Sequence, residues 1–143
     1  MTMAPARRRH PGYDVTMTNT AESASEARRL VRTAFTAWGV EDYAEIAQVV
    51  MSELVANAVR HTRCRSIRVI VERPRPGRLL VAVVDTSQDL PCMGAPQADD
   101  LRGRGLVLVD ALTHSWGTTL LGTGADRRKQ VWAQLEVKPE ECR

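Results

Sequence analysis

Glu53, Asn57 and His61 recur every four residues in Met51-Ser52-Glu53-Leu54-Val55-Ala56-Asn57-Ala58-Val59-Arg60-His61, so a helix over this stretch carries all three on one face. The same face is expected to carry Ile46, Val49, Val50 and Leu54, which sets a carboxylate and an amide into an apolar stripe. An unpaired charge buried there costs roughly several kcal/mol, so something must compensate it. A structural partner, or a place at the rim of the stripe, would do so. A ligand would do so as well. Asp85 ends the apolar run Leu79 to Val84 and is followed by Thr86 and Ser87. A half-buried carboxylate there needs a donor, such as a purine amino group or a backbone N–H, unless it only closes a strand into a turn. Gly103-Arg104-Gly105-Leu106 precedes a short helical run. Glycines at a helix start let the backbone approach a ligand, and the free N–H groups favour an anion, although such a motif alone is more often only a flexible turn. Together the three groups are the parts of a magnesium–nucleotide site. Asn57 offers an amide oxygen to a hard cation that prefers oxygen and keeps several waters. Glu53, one turn earlier, is placed to orient or deprotonate a nucleophile near the terminal phosphate.

The elements that must position these groups follow from periodicity. Tyr13, Val15 and Met17 alternate with Asp14, Thr16 and Thr18, the pattern of a half-buried strand. Residues 21–38 predict a helix whose stripe is Ala27, Leu30, Val31, Ala34, Ala37 and Trp38, with Arg28, Arg29 and Arg32 outward. Ser23 and Glu26 fit a capping box, and Gly39 is the stop. A second helix runs from Glu41-Asp42 through His61. Residues 66–72 and 79–84 predict an antiparallel hairpin joined by Arg73-Pro74-Arg75-Pro76-Gly77. Residues 86–102, with Pro91, Gly94 and Pro96, form a polar loop longer than the ~12–15 residues usual in compact domains, as lids and binding loops are. A short helix over 105–112 and strands over 115–121 and 129–137 complete the chain. The element order favours an α+β two-layer sandwich, a mostly antiparallel sheet covered on one face by about three helices.

Composition bounds the rest. The chain has 143 residues, enough for one domain with a core, and its 43% hydrophobic and 26% charged residues are globular values. Residues 1–12 read as a flexible basic arm, 13–137 as the domain and 138–143 as a tail. No apolar run approaches the ~20 residues of a bilayer crossing and no signal-peptide core is visible, so a cytoplasmic protein without membrane contact is expected. Cys64, Cys92 and Cys142 lack metal-ligand spacing and are odd in number, which suggests neither a disulfide framework nor a zinc site. The net charge of +3, concentrated at Arg7-Arg8-Arg9 without interleaved aromatic residues, argues against nucleic acid as a partner.

The motif in the predicted second helix, with Val84-Asp85-Thr86-Ser87 and Pro91, Gly103-Arg104-Gly105-Leu106-Val107-Leu108-Val109-Asp110 and Val131-Trp132, resembles the GHKL ATPase superfamily, the group of gyrase, Hsp90, histidine kinases and MutL, with its Bergerat ATP-binding fold. Within it the chain is similar to small bacterial anti-sigma-factor serine/threonine kinases and stand-alone ATP-binding regulators of actinobacteria, over roughly Tyr13 to Val137. The resemblance implies ATP and Mg²⁺ as cofactors, Asn57 as the Mg²⁺ ligand and Glu53 as the catalytic base. It implies Asp85 as acceptor from the adenine amino group, with Ser87 beside it. Gly103, Arg104, Gly105 and Leu106 would surround the phosphates, with the loop 86–102 as a short lid. His61, one turn past Asn57, would contact phosphate or be a surface histidine. Two departures stand out. The superfamily's Asp-x-Gly-x-Gly box is Asp85-Thr86-Ser87-Gln88-Asp89 here, without glycine, which stiffens the adenine pocket. Before Val131-Trp132, related sequences place Gly-Lys-Thr, whereas this chain has Arg128-Lys129-Gln130, so the amide of Gln130 would replace the hydroxyl that supports Asp85.

The expected function is therefore an anti-sigma-factor-like serine/threonine protein kinase. It would phosphorylate a STAS-type anti-anti-sigma antagonist and sequester a sigma factor or another target. The sequence shows neither the phosphoacceptor domain of a histidine kinase nor the transducer domain of a gyrase-like machine. The alternative is a catalytically silent module that binds nucleotide or partner stoichiometrically, favoured by the altered adenine box and opposed by the retained Glu53 and Asn57. Homodimerisation is a family expectation.

Overall fold

The computed structural model describes residues 12–61, 65–85 and 106–138. The expectations placed on residues 1–11, 86–105 and 139–143, including Ser87, Gly103, Arg104 and Gly105, lie outside the described residues, as do Cys64, Cys92 and Cys142.

Alternating sequences build the sheet. Strands β1 (Gly12–Thr18), β2 (Ser66–Arg75), β3 (Arg78–Asp85), β4 (Ser115–Leu121) and β5 (Arg128–Glu136) form one sheet in the order β1-β2-β3-β5-β4. Every neighbouring pair is antiparallel. Helices α1 (Ser23–Ala37) and α2 (Ala44–His61), with α3 over 106–112, complete an α+β fold. One face of the sheet presents Ile67, Val69, Val71, Leu79, Val81, Val83, Val131, Ala133 and Leu135 to Ala27, Val31, Ala34 and Phe35 of α1 and to Met51, Leu54, Val55 and Ala58 of α2 in one buried cluster. This is the face the period-two pattern assigned to the core. The opposite face holds a smaller cluster of Ile70, Ala82 and Val84 with Leu121 and Trp132.

Local chemistry sets the ends of α1. The expected capping box is absent, for no side chain caps the helix and Ser23 is already helical. The fully buried Ser23 hydroxyl instead donates to the Thr18 carbonyl and accepts from Thr20 N–H at 3.0 Å, tying β1 to α1. At the other end Gly39 adopts φ +74°, with Gly39 N–H donating to Thr36 O at 3.1 Å and Val40 N–H to Phe35 O at 2.9 Å. This is the paired-bond termination that requires a left-handed residue, and Val40 and Phe35, at its two ends, are both buried in the core cluster. A Cβ at position 39 would meet nothing within 4 Å, so replacing Gly39 brings only conformational strain. Gly39→Ala should cost about 1 kcal/mol, read as a lower urea midpoint with unchanged slope. An unaltered midpoint would show that α1 can end another way.

Three further expectations are corrected. Arg28 and Arg32 do not simply face outward. Arg28 donates to Ser52 Oγ at 3.1 Å and Arg32 to Gln48 Oε1 at 3.0 Å, while Gln48 Nε2 returns a bond to the Arg28 carbonyl at 3.0 Å. These polar bonds clamp α1 to α2, since the arginine stems are long enough to lie along a neighbouring helix. The second helix does not start at Glu41: a 3₁₀ turn over Glu41–Tyr43 precedes α2. The hairpin loop is shorter than Arg73 to Gly77, because β2 continues to Arg75 through a register shift between Glu72 and Arg75. Such irregularities are where a strand tolerates a proline, here Pro74.

Candidate functional site

The buried stripe of α2 is Ala44, Ala47, Val50, Met51, Leu54, Val55 and Ala58. Ile46 and Val49, expected in that stripe, are each 39% exposed. Glu53 and Asn57 are half-buried and lie at the margin of the stripe, on the Ile46 side and opposite the side that Gln48 and Ser52 turn to α1. The polar pair thus borders the core instead of interrupting it. Glu53 makes no hydrogen bond or ion pair through its side chain among the described residues. Asn57 Oδ1 is shielded from solvent and has no hydrogen-bond partner among them. An unsatisfied carbonyl of this kind costs about 1–3 kcal/mol, and native structures keep few of them without a reason. His61 closes α2, and its side chain lies outside what is described.

That orphan oxygen is the test of a magnesium site, and it fits. A hard cation takes amide oxygens, and Mg²⁺ at phosphates needs only one or two protein ligands because phosphate and water supply the rest. Among the described residues no group of three His, Cys, Asp or Glu could hold a metal unaided.

Asp85 ends β3 on the helix-covered face, opposite Ile67 on β2 and Lys129 on β5. It is 2% exposed, Lys129 is 3% exposed, and Lys129 Nζ stands 3.7 Å from Asp85 Oδ2. Taking two charges this far from water is costly, and removing one partner alone would strand the other. The residue expected beside Asp85 is elsewhere: Gln130 pairs with Val84 and Thr119 and so points to the opposite face. Sequence reasoning missed Lys129. The signal was available, because Val131, Ala133 and Leu135 face the core and position 129 has the same parity.

Leu106 is half-buried and Val109 fully buried, which seats α3 against the core. Thr113 Oγ1 donates to the Val109 carbonyl at 2.7 Å, and Trp116 Nε1 donates to Asp110 Oδ1 at 2.9 Å, fixing α3 to β4. Val107, 68% exposed, and Leu108, 38% exposed, lie on its outer side. No helix among the described residues is long and apolar enough to cross a membrane.

No curated protein matches the sequence. Among solved structures, the chain is similar to one in the crystal structure of the SiaB–SiaC complex from Pseudomonas aeruginosa, with TM-score 0.65 and 15% identity, over 94% of this chain and 95% of that one. At that identity the similarity concerns the fold. The family model of the histidine kinase-like ATPase domain matches residues 17–133, a span that includes Glu53, Asn57, Asp85 and Lys129. The chain therefore belongs to the histidine kinase-like ATPase family, the GHKL group of ATP-binding domains.

Proposed function

We propose that the protein is an anti-sigma-factor-like serine/threonine protein kinase that uses ATP with Mg²⁺ and acts on a STAS-type antagonist in the cytoplasm. The observation that carries this reading is the buried Asn57 Oδ1, one helical turn from the Glu53 carboxylate, both without a side-chain partner among the described residues. In this reading Asn57 Oδ1 would hold the cation, and Asp85 would accept from the adenine amino group. Gly103 and Gly105 would contact phosphate. The bound cation supplies charge neutralisation at the phosphates. Glu53 takes the proton of the attacking serine or threonine hydroxyl as that oxygen bonds to the γ-phosphorus. The bond from the γ-phosphorus to the bridging oxygen breaks, and ADP leaves with the electron pair. The hydroxyl needs such a base because its own proton is lost only weakly near neutral pH. Regulation through a second protein draws support from the SiaB–SiaC pair, which is itself a complex of two proteins. Sequestration of a sigma factor and homodimerisation complete the proposal as expectations from the resemblance.

The glycine-free box at Asp85 favours a second reading, a nucleotide- or partner-binding module without catalysis. Radiolabelled phosphotransfer from ATP to a purified STAS-domain antagonist, with and without Mg²⁺, separates the two. The kinase reading expects Mg²⁺-dependent label on a serine or threonine. Titration showing no ATP binding at millimolar concentration would sink it, and binding without transfer to any antagonist tried in that assay would favour the silent module.

A further inference from the structure

Lys129 is nearly as buried as any core residue, yet among the described residues its side chain donates no hydrogen bond, and its contact to Asp85 Oδ2 is 3.7 Å. That distance is an ion pair beyond hydrogen-bond range. An ammonium carries three donors and no acceptor, whereas an ionised carboxylate only accepts. The register places the two side by side at the ends of β3 and β5, on the face that α2 covers. Together they offer one acceptor and one donor at adjacent positions, which is the complement of a Watson–Crick edge with a donor beside an acceptor. Adenine has that edge: its exocyclic amino group donates and its N1 accepts.

We propose that Lys129 is a specificity-determining residue that donates to N1 of the adenine ring while Asp85 accepts from the amino group. The inference rests on the ATP reading above and assigns the base-reading role to Lys129 in place of Gln130, which faces away. A hydroxyl beside Asp85 could donate to N1 of adenine or accept from N1–H of guanine, which would leave discrimination to Asp85 alone. An ammonium can only donate. In the same pose guanine turns a carbonyl oxygen toward the carboxylate and an N1–H toward the ammonium, so acceptor meets acceptor and donor meets donor. A site with buried polar groups left unpaired rejects such an analogue strongly.

Calorimetric titration of the full chain with Mg²⁺ and either ATP or 1-deaza-ATP, in which N1 is replaced by C–H, tests the assignment. The wild type is expected to bind the deaza analogue about tenfold or more weakly, the loss of one charge-assisted hydrogen bond. Lys129→Met should bind the two nucleotides equally, and Lys129→Gln, which keeps an N–H donor, should retain part of the preference. Because Lys129→Met strands a buried carboxylate, the Asp85→Asn/Lys129→Met double variant, without either charge, provides the same comparison. Equal binding by the wild type, or an undiminished preference in the folded Met variants, overturns the role of Lys129 and leaves ATP binding standing. Failure of the wild type to bind ATP overturns the ATP reading and this inference with it.

Discussion

Replacing Glu53 by glutamine is expected to lower Mg²⁺-dependent phosphotransfer by roughly 10²–10⁴-fold, the usual contribution of a positioned general base. The amide keeps the shape and the reach of the side chain but does not take a proton. The Glu53 side chain makes no hydrogen bond or ion pair among the described residues, so the substitution breaks none there. Its effect on stability should stay within about 0.5 kcal/mol, as for other substitutions away from a network. ATP affinity should be nearly unchanged, because the proposed role concerns the nucleophile and not the nucleotide. Loss of transfer with retained binding and folding is thus the expected signature. A Glu53→Gln protein that transfers phosphate at the wild-type rate would remove Glu53 from the mechanism.

Phe35→Ala should destabilise the domain by about 3–5 kcal/mol. Phe35 is the single phenylalanine of the chain and is fully buried. Its ring lies 6.0 Å from that of Trp38, which also meets Tyr13 of β1 at 6.1 Å. Its carbonyl also receives the Val40 N–H that ends α1. Truncation leaves a cavity in the main core cluster under α1, so the loss includes a cavity term beyond the transfer of the ring. Against a typical net stability of about 5–15 kcal/mol, such a loss leaves a protein that unfolds at modest temperature. Thermal or urea unfolding checks this directly, and a cost below about 1 kcal/mol would mean that Phe35 is not part of the cooperative core.

Much of the architecture was legible because each strand obeys one period. Tyr13, Val15 and Met17 share one register, opposite Val71, Val69 and Ile67, but only Met17 and Tyr13 join the core and Val15 stays 38% exposed on this edge strand; the hydrophobic series from Ile67 to Val71 and from Leu79 to Val83 locates β2 and β3. The same parity contained Lys129, but nothing in the sequence marks a basic residue before Val131-Trp132 as half of a buried pair. Only the pairing of β3 with β5 brings its charge beside Asp85. The spacing of Glu53 and Asn57 was legible too, whereas their place at the edge of the stripe was not. Which flank of α2 faces the sheet depends on where α1 packs, and that is settled by Arg28 and Arg32 reaching Ser52 and Gln48 across the helix pair. Ser23 shows the same limit at smaller scale: its spacing to Glu26 fits a cap, but the tertiary acceptor at Thr18 wins.

The proposal that Asn57 is kept for a cation and not for the fold is tested by Asn57→Ala, in which two effects oppose each other. Removing a buried carbonyl without a partner, and placing the best helix former in α2, should leave the nucleotide-free protein as stable as the wild type or about 1 kcal/mol more so. In the wild type, Mg²⁺·ATP at about a hundred times its dissociation constant should add about 2.7 kcal/mol of stability by linkage. Unfolding of both proteins in urea, with and without Mg²⁺·ATP, reads both quantities at once. Asn57→Ala is expected to be no less stable alone and to lose most of the stabilisation by Mg²⁺·ATP. An Asn57→Ala protein that is destabilised without ligand and gains as much from Mg²⁺·ATP as the wild type would contradict the assignment.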